Sequence, residues 1–442
     1  MDGKNKHTLW NLPDRLEGDK VVWIIVLMLV LISIVCIFSS TSRLLEEGQT
    51  RLDIMRSQLI IVGVGMAVIV LLYNIKDMKF FRICSMLGFP ISFILLLMLD
   101  MHIDTPAVKA LNLNHAYRSL KICGVQVHVF EIVKVAMTAY LAWAQDSLKK
   151  GILKGPKKEI WKKIVFVYAP FLLTFVMIIP GSNSSALFIG FIMFVVILLG
   201  GGNFRDMSLL LGAGTLLLLV CFSTYKLSSG KIFGRIGTGI ERVSDHTDYE
   251  AIIRGNRKGS FPYQQALDKI RQPYSAKIAI HQGLVAKGPG QSTQRYVVPD
   301  ISEDYMFSFI IEEYSLLGGI FVLALYVSLL ARGSIIVRNC GKDQYAKLTV
   351  AGLCLLISGQ AFLHMLVNVD IGPMTGQTLP LISHGNSAFL CFSVAFGIIL
   401  SFSRIAKRRI ESETRNAAPL TEVRPTEGPG EEKYDEFSEY GA

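Results

Sequence analysis

The residues best suited to chemistry lie between residues 288 and 319, where a long polar segment gives way to an apolar run. This stretch carries Asp300, Glu303 and Asp304 immediately before the apolar residues begin. Carboxylates at the mouth of a bilayer are costly to desolvate and mark a functional site. Asp304 is the expected general base. The plain alternative is a helix cap, because Ser302, Glu303 and Asp304 precede a helix and acids suit its first turn. A cap accepts backbone N–H bonds that lower its pKa and weaken it as a base. Glu131 and Lys134 are a second set, an i,i+3 pair on one helical face. The pair could merely neutralise two buried charges, hold an anionic lipid-linked substrate, or tune a nearby base. A third set runs from Gln360 to Ser387. There Gly372, Pro373, Gly376 and Pro380 break any continuous helix, and an irregular segment at membrane depth lines a cavity or is buried in protein. His384 in this segment is a candidate ligand or acid, or a hydrogen-bonded structural histidine. Arg118 could meet a phosphate, although a lone arginine is more often solvated. No Walker loop, HExxH or metal-spaced Cys/His cluster is present, and the Gly-rich stretch around Lys287 has the wrong context for a nucleotide.

The elements that must position these residues are membrane helices. The chain has 442 residues, 51% hydrophobic and only 18% charged, where a soluble domain averages about 25% charged. Apolar runs of near-spanning length fall at 21–39, 59–73, 83–99, 125–144, 164–179, 186–199, 207–225, 315–330, 348–367 and 388–402. The expected fold is therefore an all-α polytopic membrane protein of about ten helices. The first run is too long for a signal h-region and is read as a span that stays. Basic residues follow every even-numbered run, as with Lys149 and Lys150, Arg332 and Arg338, and Lys407 to Arg409, which places both termini in the cytoplasm. The excess of 45 basic over 35 acidic residues is thus an orientation signal and argues against nucleic acid.

Residues 1–20 read as a cytoplasmic segment, 21–404 as the membrane domain, and 405–442 as a cytoplasmic tail, disordered from Glu411 by composition. The outer loop at 225–303, roughly eighty residues, is too long for a plain linker. Apolar spacing at 263–271 and 275–283 suits short interfacial helices within it. Cys123 stands alone in an outer loop and the other cysteines lie in or beside apolar runs, so no disulfide framework is implied. No internal repeat was found, which weakens a transporter reading.

Taken together, these segments resemble the SEDS family (FtsW, RodA and relatives), peptidoglycan glycosyltransferases that polymerise lipid II. Gly288, Gly290, Ser292 and Gln294 match its G-x-G-x-S-x-Q, Pro299 and Asp304 its P-E-A-H-T-D, and Glu312-Glu313 its E-E. Gln360, Pro373, Gly376, Thr378 to Ser383, Gly385 and Ser387 match Q…P-x-x-G-x-T-L-P-L-I-S-x-G-x-S, a form similar to the division branch. Asn114, Ala116 and Arg118 echo N-G-A-R-R-W, and Glu131/Lys134 match E-L-x-K. Departures are Tyr117 and Ser119 for the usual Arg and Trp, PGSNSSA for Q-P-D-L-G-T-A, Ile311 for Gly, His364 for Asn and Asn386 for Gly.

The resemblance implies an inverting glycosyl transfer outside the cytoplasmic membrane, at the division septum. Asp304 would be the catalytic base. Glu131, Lys134, Arg118, Ser292, Gln294, Gln360, Ser383 and Ser387 would bind substrate. Lys134, Arg118 or a divalent cation (Mg or Mn) would neutralise the undecaprenyl pyrophosphate leaving group, with no other cofactor implied. The implied partners are a class B penicillin-binding protein, other divisome proteins and membrane lipid. A lipid II flippase and a scaffold that recruits a transpeptidase are the competing readings.

Overall fold

The computed structural model describes residues 17–40, 51–113, 116–154, 158–228, 237, 249–298, 301–372 and 374–417. Asn114, Pro299, Asp300 and Pro373, together with residues 1–16 and 418–442, lie outside the described residues. The described chain is a helical bundle with one small sheet.

In chain order the first helices are α1 (Lys20–Ser40), α2 (Arg51–Asn74), α3 (Met78–Met86) and α4 (Gly88–Asp100). Strands β1 (Val108–Leu113), β2 (Ala116–Ile122) and β3 (Val125–His128) follow. Next come α5 (Val129–Lys149), α6 (Glu159–Lys163), a π-helical turn at Ile164–Tyr168, α7 (Ala169–Ile178), α8 (Asn183–Leu199) and α9 (Phe204–Leu227). The outer segment holds α10 (Tyr249–Gly255) and α11 (Phe261–Gln282), and the chain closes with α12 (Met306–Asn339), α13 (Gln344–Asn368) and α14 (Asn386–Ala417). Among the described residues, eight helical spans are long and apolar enough to cross a membrane. Of the other two expected runs, α8 is apolar but has only 17 residues, and α5 carries Glu131, Lys134, Asp146 and Lys149.

The structure corrects the sequence reading in three places. The fold is not purely helical: residues 125–128, read as the start of a span, are strand β3 of an antiparallel meander ordered β1-β2-β3. Alternating Val125-Gln126-Val127-His128 has strand periodicity, and α5 begins only at Val129. Helix α14 continues to Ala417, through residues assigned to the disordered tail, with i,i+4 pairs Lys407–Glu411 and Arg409–Glu413 along its exposed face. The expected interfacial segments are one helix, α11, with a non-helical residue at Ile270 and Pro273 inside it.

α12 breaks at Ser315, whose φ of 67° and ψ of 174° are not helical. This is where the apolar run begins in the sequence. A break frees backbone groups that must find partners elsewhere. The outer segment supplies them: Lys287 N donates to Glu312 O, Gly288 N to Glu313 O, and Leu316 N to Gly283 O. A Cβ on Gly283 would come within 2.2 Å of the Ile311 carbonyl oxygen, so only glycine permits this approach. The first eight residues of α12, Met306 to Glu313, are consequently buried in protein and fix the residues that precede them.

At the other end of the bundle, charges are paired. Arg332 meets Asp19 at 2.6 Å, and Arg82 bridges Asp146 and Asp343 while lying over the Tyr345 ring.

Candidate functional site

The site forms where the short loop before α12, the irregular segment between α13 and α14, the sheet and the first turn of α5 converge. α5 packs against α4, α8 and α13, and this burial brings its charged face inside. Lys134 is 1% exposed and donates to Glu131 Oε1, Gln360 Oε1 and Gln377 Oε1, each at 2.7 Å. The ammonium has three N–H donors, and all three are taken. Gln360 passes its amide to the Thr378 carbonyl at 2.9 Å, and Gln377 passes its own to Ser185 Oγ at 2.9 Å. One lysine thereby ties α5, α8 and α13 to the broken segment that carries the T-L-P-L-I-S run.

A cavity of about 350 Å³ opens beside this knot, walled by Asp304, Glu131, Arg118, His128, Ser387 and neighbours. Asp304 is not at the helix cap, since α12 starts at Met306 with Tyr305 at the N-cap position. Its backbone carbonyl accepts from Asn368 Nδ2 at 3.1 Å, and Asn368 Oδ1 accepts from Ser308 N at 2.9 Å. A Cβ on Gly376 would lie 3.6 Å from Asp304 Oδ2, and the φ of +62° at Gly376 suits glycine. Glu131 Oε2 is buried and has no hydrogen-bond partner among the described residues. Ser383 positions the loop from behind: its hydroxyl donates to Glu303 O at 2.7 Å and accepts from Leu379 N at 2.9 Å.

Arg118 reaches the cavity through a fault in the sheet. The register pairs Leu111 with Ser119 but Asn112 with Tyr117, leaving Arg118 as the extra residue of a bulge. A bulge re-aims a side chain; here Arg118 Nε donates to Gly181 O at 3.1 Å. Next to it, Ser119 Oγ and His128 Nδ1 are 3.0 Å apart, in the place the resemblance gives to a tryptophan. Burial holds the His128 pKa below the ordinary histidine value, against the opposing pull of Glu131. Ser387 Oγ accepts from His128 N and donates to Gln126 O, both at 3.2 Å, joining α14 to β3.

The structure thus gathers Asp304, Glu131, Arg118 and Ser387 at one cavity. Lys134, Gln360 and Ser383 stand behind its wall. Ser292 and Gln294 do not belong to it. Ser292 Oγ donates to Glu312 Oε2 at 2.5 Å, and Gln294 N to Glu312 at 3.4 Å. Expected as substrate ligands, these two instead form part of a cradle for the Glu312-Glu313 pair, both 0% exposed, outside the cavity. Lys287 meets Glu312 at 2.6 Å, and Ser39 Oγ and Gly290 N donate to Glu313. His384 is held by Ser302 O through its backbone N–H and lies 3.3 Å from Gln58 Oε1, although its ring also lines the cavity. His364, a lone ionisable group in a long apolar run, braces the broken segment from behind: its Nδ1 lies 2.7 Å from Gln377 O and its Nε2 accepts from Phe307 N at 3.4 Å.

Comparison with known proteins gives the family and the fold. The profile of the FtsW/RodA/SpoVE family of cell cycle proteins matches residues 19–408, and the chain belongs to that family. Stage V sporulation protein E of Bacillus subtilis is 23% identical over 397 residues, covering 89% of this chain and 99% of its own. A probable peptidoglycan glycosyltransferase FtsW of Methylomonas methanica is 26% identical over 337 residues, 73% of this chain and 78% of its own. Among solved structures, a chain from a peptidoglycan synthase complex that coordinates polymerization and crosslinking superposes with a TM-score of 0.61 at 20% identity, covering 88% of this chain and 98% of its own. Thermus thermophilus RodA gives 0.55 at 19% identity, covering 89% and 98%. The fold is shared with both.

Proposed function

We propose that this chain is a peptidoglycan glycosyltransferase that polymerises lipid II on the outer face of the bacterial cytoplasmic membrane during division. In this reading α5 and α8 join the eight apolar spans to make ten, and both termini are cytoplasmic. The observation that carries it is a single cavity walled by a carboxylate on a rigid loop, Asp304, and by a guanidinium, Arg118.

The acceptor's 4-hydroxyl, on N-acetylglucosamine, attacks C1 of the donor N-acetylmuramate. A sugar hydroxyl is a weak nucleophile, so Asp304 removes its proton as the C–O bond forms. The bond from C1 to the pyrophosphate oxygen breaks, and undecaprenyl pyrophosphate leaves with the electron pair. Arg118 offsets the charge that builds there. Lys134 does not meet the phosphate, because its donors are used; it holds Glu131 and the broken segment in place. Among the described residues no group of three or more His, Cys, Asp or Glu is placed to hold a metal alone. A divalent cation would have to be shared between cavity carboxylates and the substrate phosphates.

The expected partner is a class B penicillin-binding protein that crosslinks the strands. Purified protein in detergent with lipid II, with and without that partner, tests the reading: glycan strands support it, while transfer of lipid II across vesicles without strand formation favours the flippase.

A further inference from the structure

The sheet has one face buried and one face with a use still to be explained. Cross-strand neighbours share a face. On the buried face lies Leu120, 0% exposed, with Val108 and Ala110 packed against the core. On the other, Lys109 of β1 pairs with Lys121 of β2, and Lys121 pairs with Gln126 of β3. Gln126 and His128, two residues apart and so on that same face, both line the central cavity. The face is therefore cavity wall at β3 and a lysine pair at β1 and β2. Two strand spacings, about 10 Å, separate the two ends of the row.

Like charges directly opposite one another destabilise a sheet. Asp104 relieves this in part, meeting Lys109 at 2.9 Å. Lys121 has no ion-pair partner among the described residues, and both lysines border an open cleft of about 530 Å³ with Asp104 and Gly124. A row that begins with neutral Gln126 at the cavity wall and continues through Lys121 and Lys109 to an open cleft suits an anionic chain leaving the cavity.

We propose that the Lys109–Lys121 face is a subsite for the peptide-bearing glycan where it extends from the cavity, with carboxylates of its peptide stems as the ligands. This rests on the polymerase reading and adds a determinant of strand length to it. The test uses the full chain with its transpeptidase partner, in nanodiscs of neutral lipid, supplied with lipid II. Strand length is read alongside the rate of the first coupling. K109A/K121A shortens strands roughly three- to tenfold beyond any drop in first coupling, the effect of losing two exposed charge contacts. K109R/K121R retains the parental length. Lipid II with amidated stem carboxylates shortens the parent's strands to the variant's length and leaves the variant's unchanged. Parental strand length in K109A/K121A, or equal sensitivity of both proteins to amidation, overturns the proposal. So does an effect that appears only when anionic phosphatidylglycerol is added, which would make a lipid headgroup the ligand. Titration with a soluble peptide-bearing glycan fragment reads the subsite without turnover: weaker binding by K109A/K121A supports it, and equal binding overturns it. Absence of strands from the parent itself would count against the polymerase reading, and this titration still decides the subsite.

Discussion

Lys134→Met reads the wiring of the site. Methionine keeps most of the stem volume and removes the ammonium. The change strips the cation from Glu131 and leaves two amide oxygens, on Gln360 and Gln377, without the donor each holds at 2.7 Å. Removing one partner of a buried ion pair costs about 3–5 kcal/mol, and each orphaned acceptor adds roughly 1 kcal/mol more. Glu131 is 14% exposed while Lys134 is 1% exposed, so cavity water relieves part of the carboxylate's share. The expected net loss is about 3–5 kcal/mol. Glu131→Gln keeps an oxygen acceptor for Lys134 but leaves that buried ammonium without its counter-charge, so it too costs about 3–5 kcal/mol. The double variant E131Q/K134M should recover about 1–3 kcal/mol relative to the sum of the two, because the residues are in contact. Unfolding of the purified proteins in detergent measures these differences, with lipid II polymerisation followed in parallel. A Lys134→Met or Glu131→Gln protein within about 1 kcal/mol of the parent would refute the reasoning.

Other outcomes follow from the same geometry. Arg118→Ala is expected to lower turnover by roughly 10²-fold with little change in stability, and Arg118→Lys to restore only part, since lysine cannot reproduce the guanidinium fork; equal activity of the two variants would remove Arg118 from the charge-stabilising role. Ser292→Ala loses a buried hydrogen bond to a carboxylate, about 1.5–3 kcal/mol of stability, and should leave the KM for lipid II unchanged; a raised KM with full stability would return Ser292 to the substrate groove. Burial lowers the His128 pKa, so the unfolded chain takes up a proton that the folded one resists. The stability His128 contributes is present above about pH 6.5 and falls as the pH drops toward its lower folded value. His128→Gln should flatten that slope, as measured by unfolding from pH 7.5 to 5, and an unchanged slope would contradict it.

Much of this site was legible because membrane helices leave few places for charge. Glu131, Lys134 and Asp304 stood out against apolar sequence, and the breaks at Gly376 and Pro380 announced a non-helical cavity wall. Ser315 marked the true break of α12 because the change in composition and the change in backbone coincide. The sheet was hidden for the opposite reason: β3 runs directly into α5, so its apolar residues joined the helix's run. The bulge that delivers Arg118 depends on register between strands, which composition does not encode. The assignment of Ser292 and Gln294 came with the motif they share with the family, and only the fold shows that both hydrogen-bond Glu312. Lys134 stood out by its charge within an apolar run, but only packing reveals that its three donors are consumed behind the cavity wall.

The most direct test of the account is lipid II polymerisation by the Asp304→Asn protein, purified with its transpeptidase partner and shown to unfold like the parent. Asparagine preserves the shape beside Gly376 and removes the ability to take a proton. The account predicts loss of glycan strands by a factor of at least about 10² with the complex intact. Strand synthesis at the parental rate would contradict it.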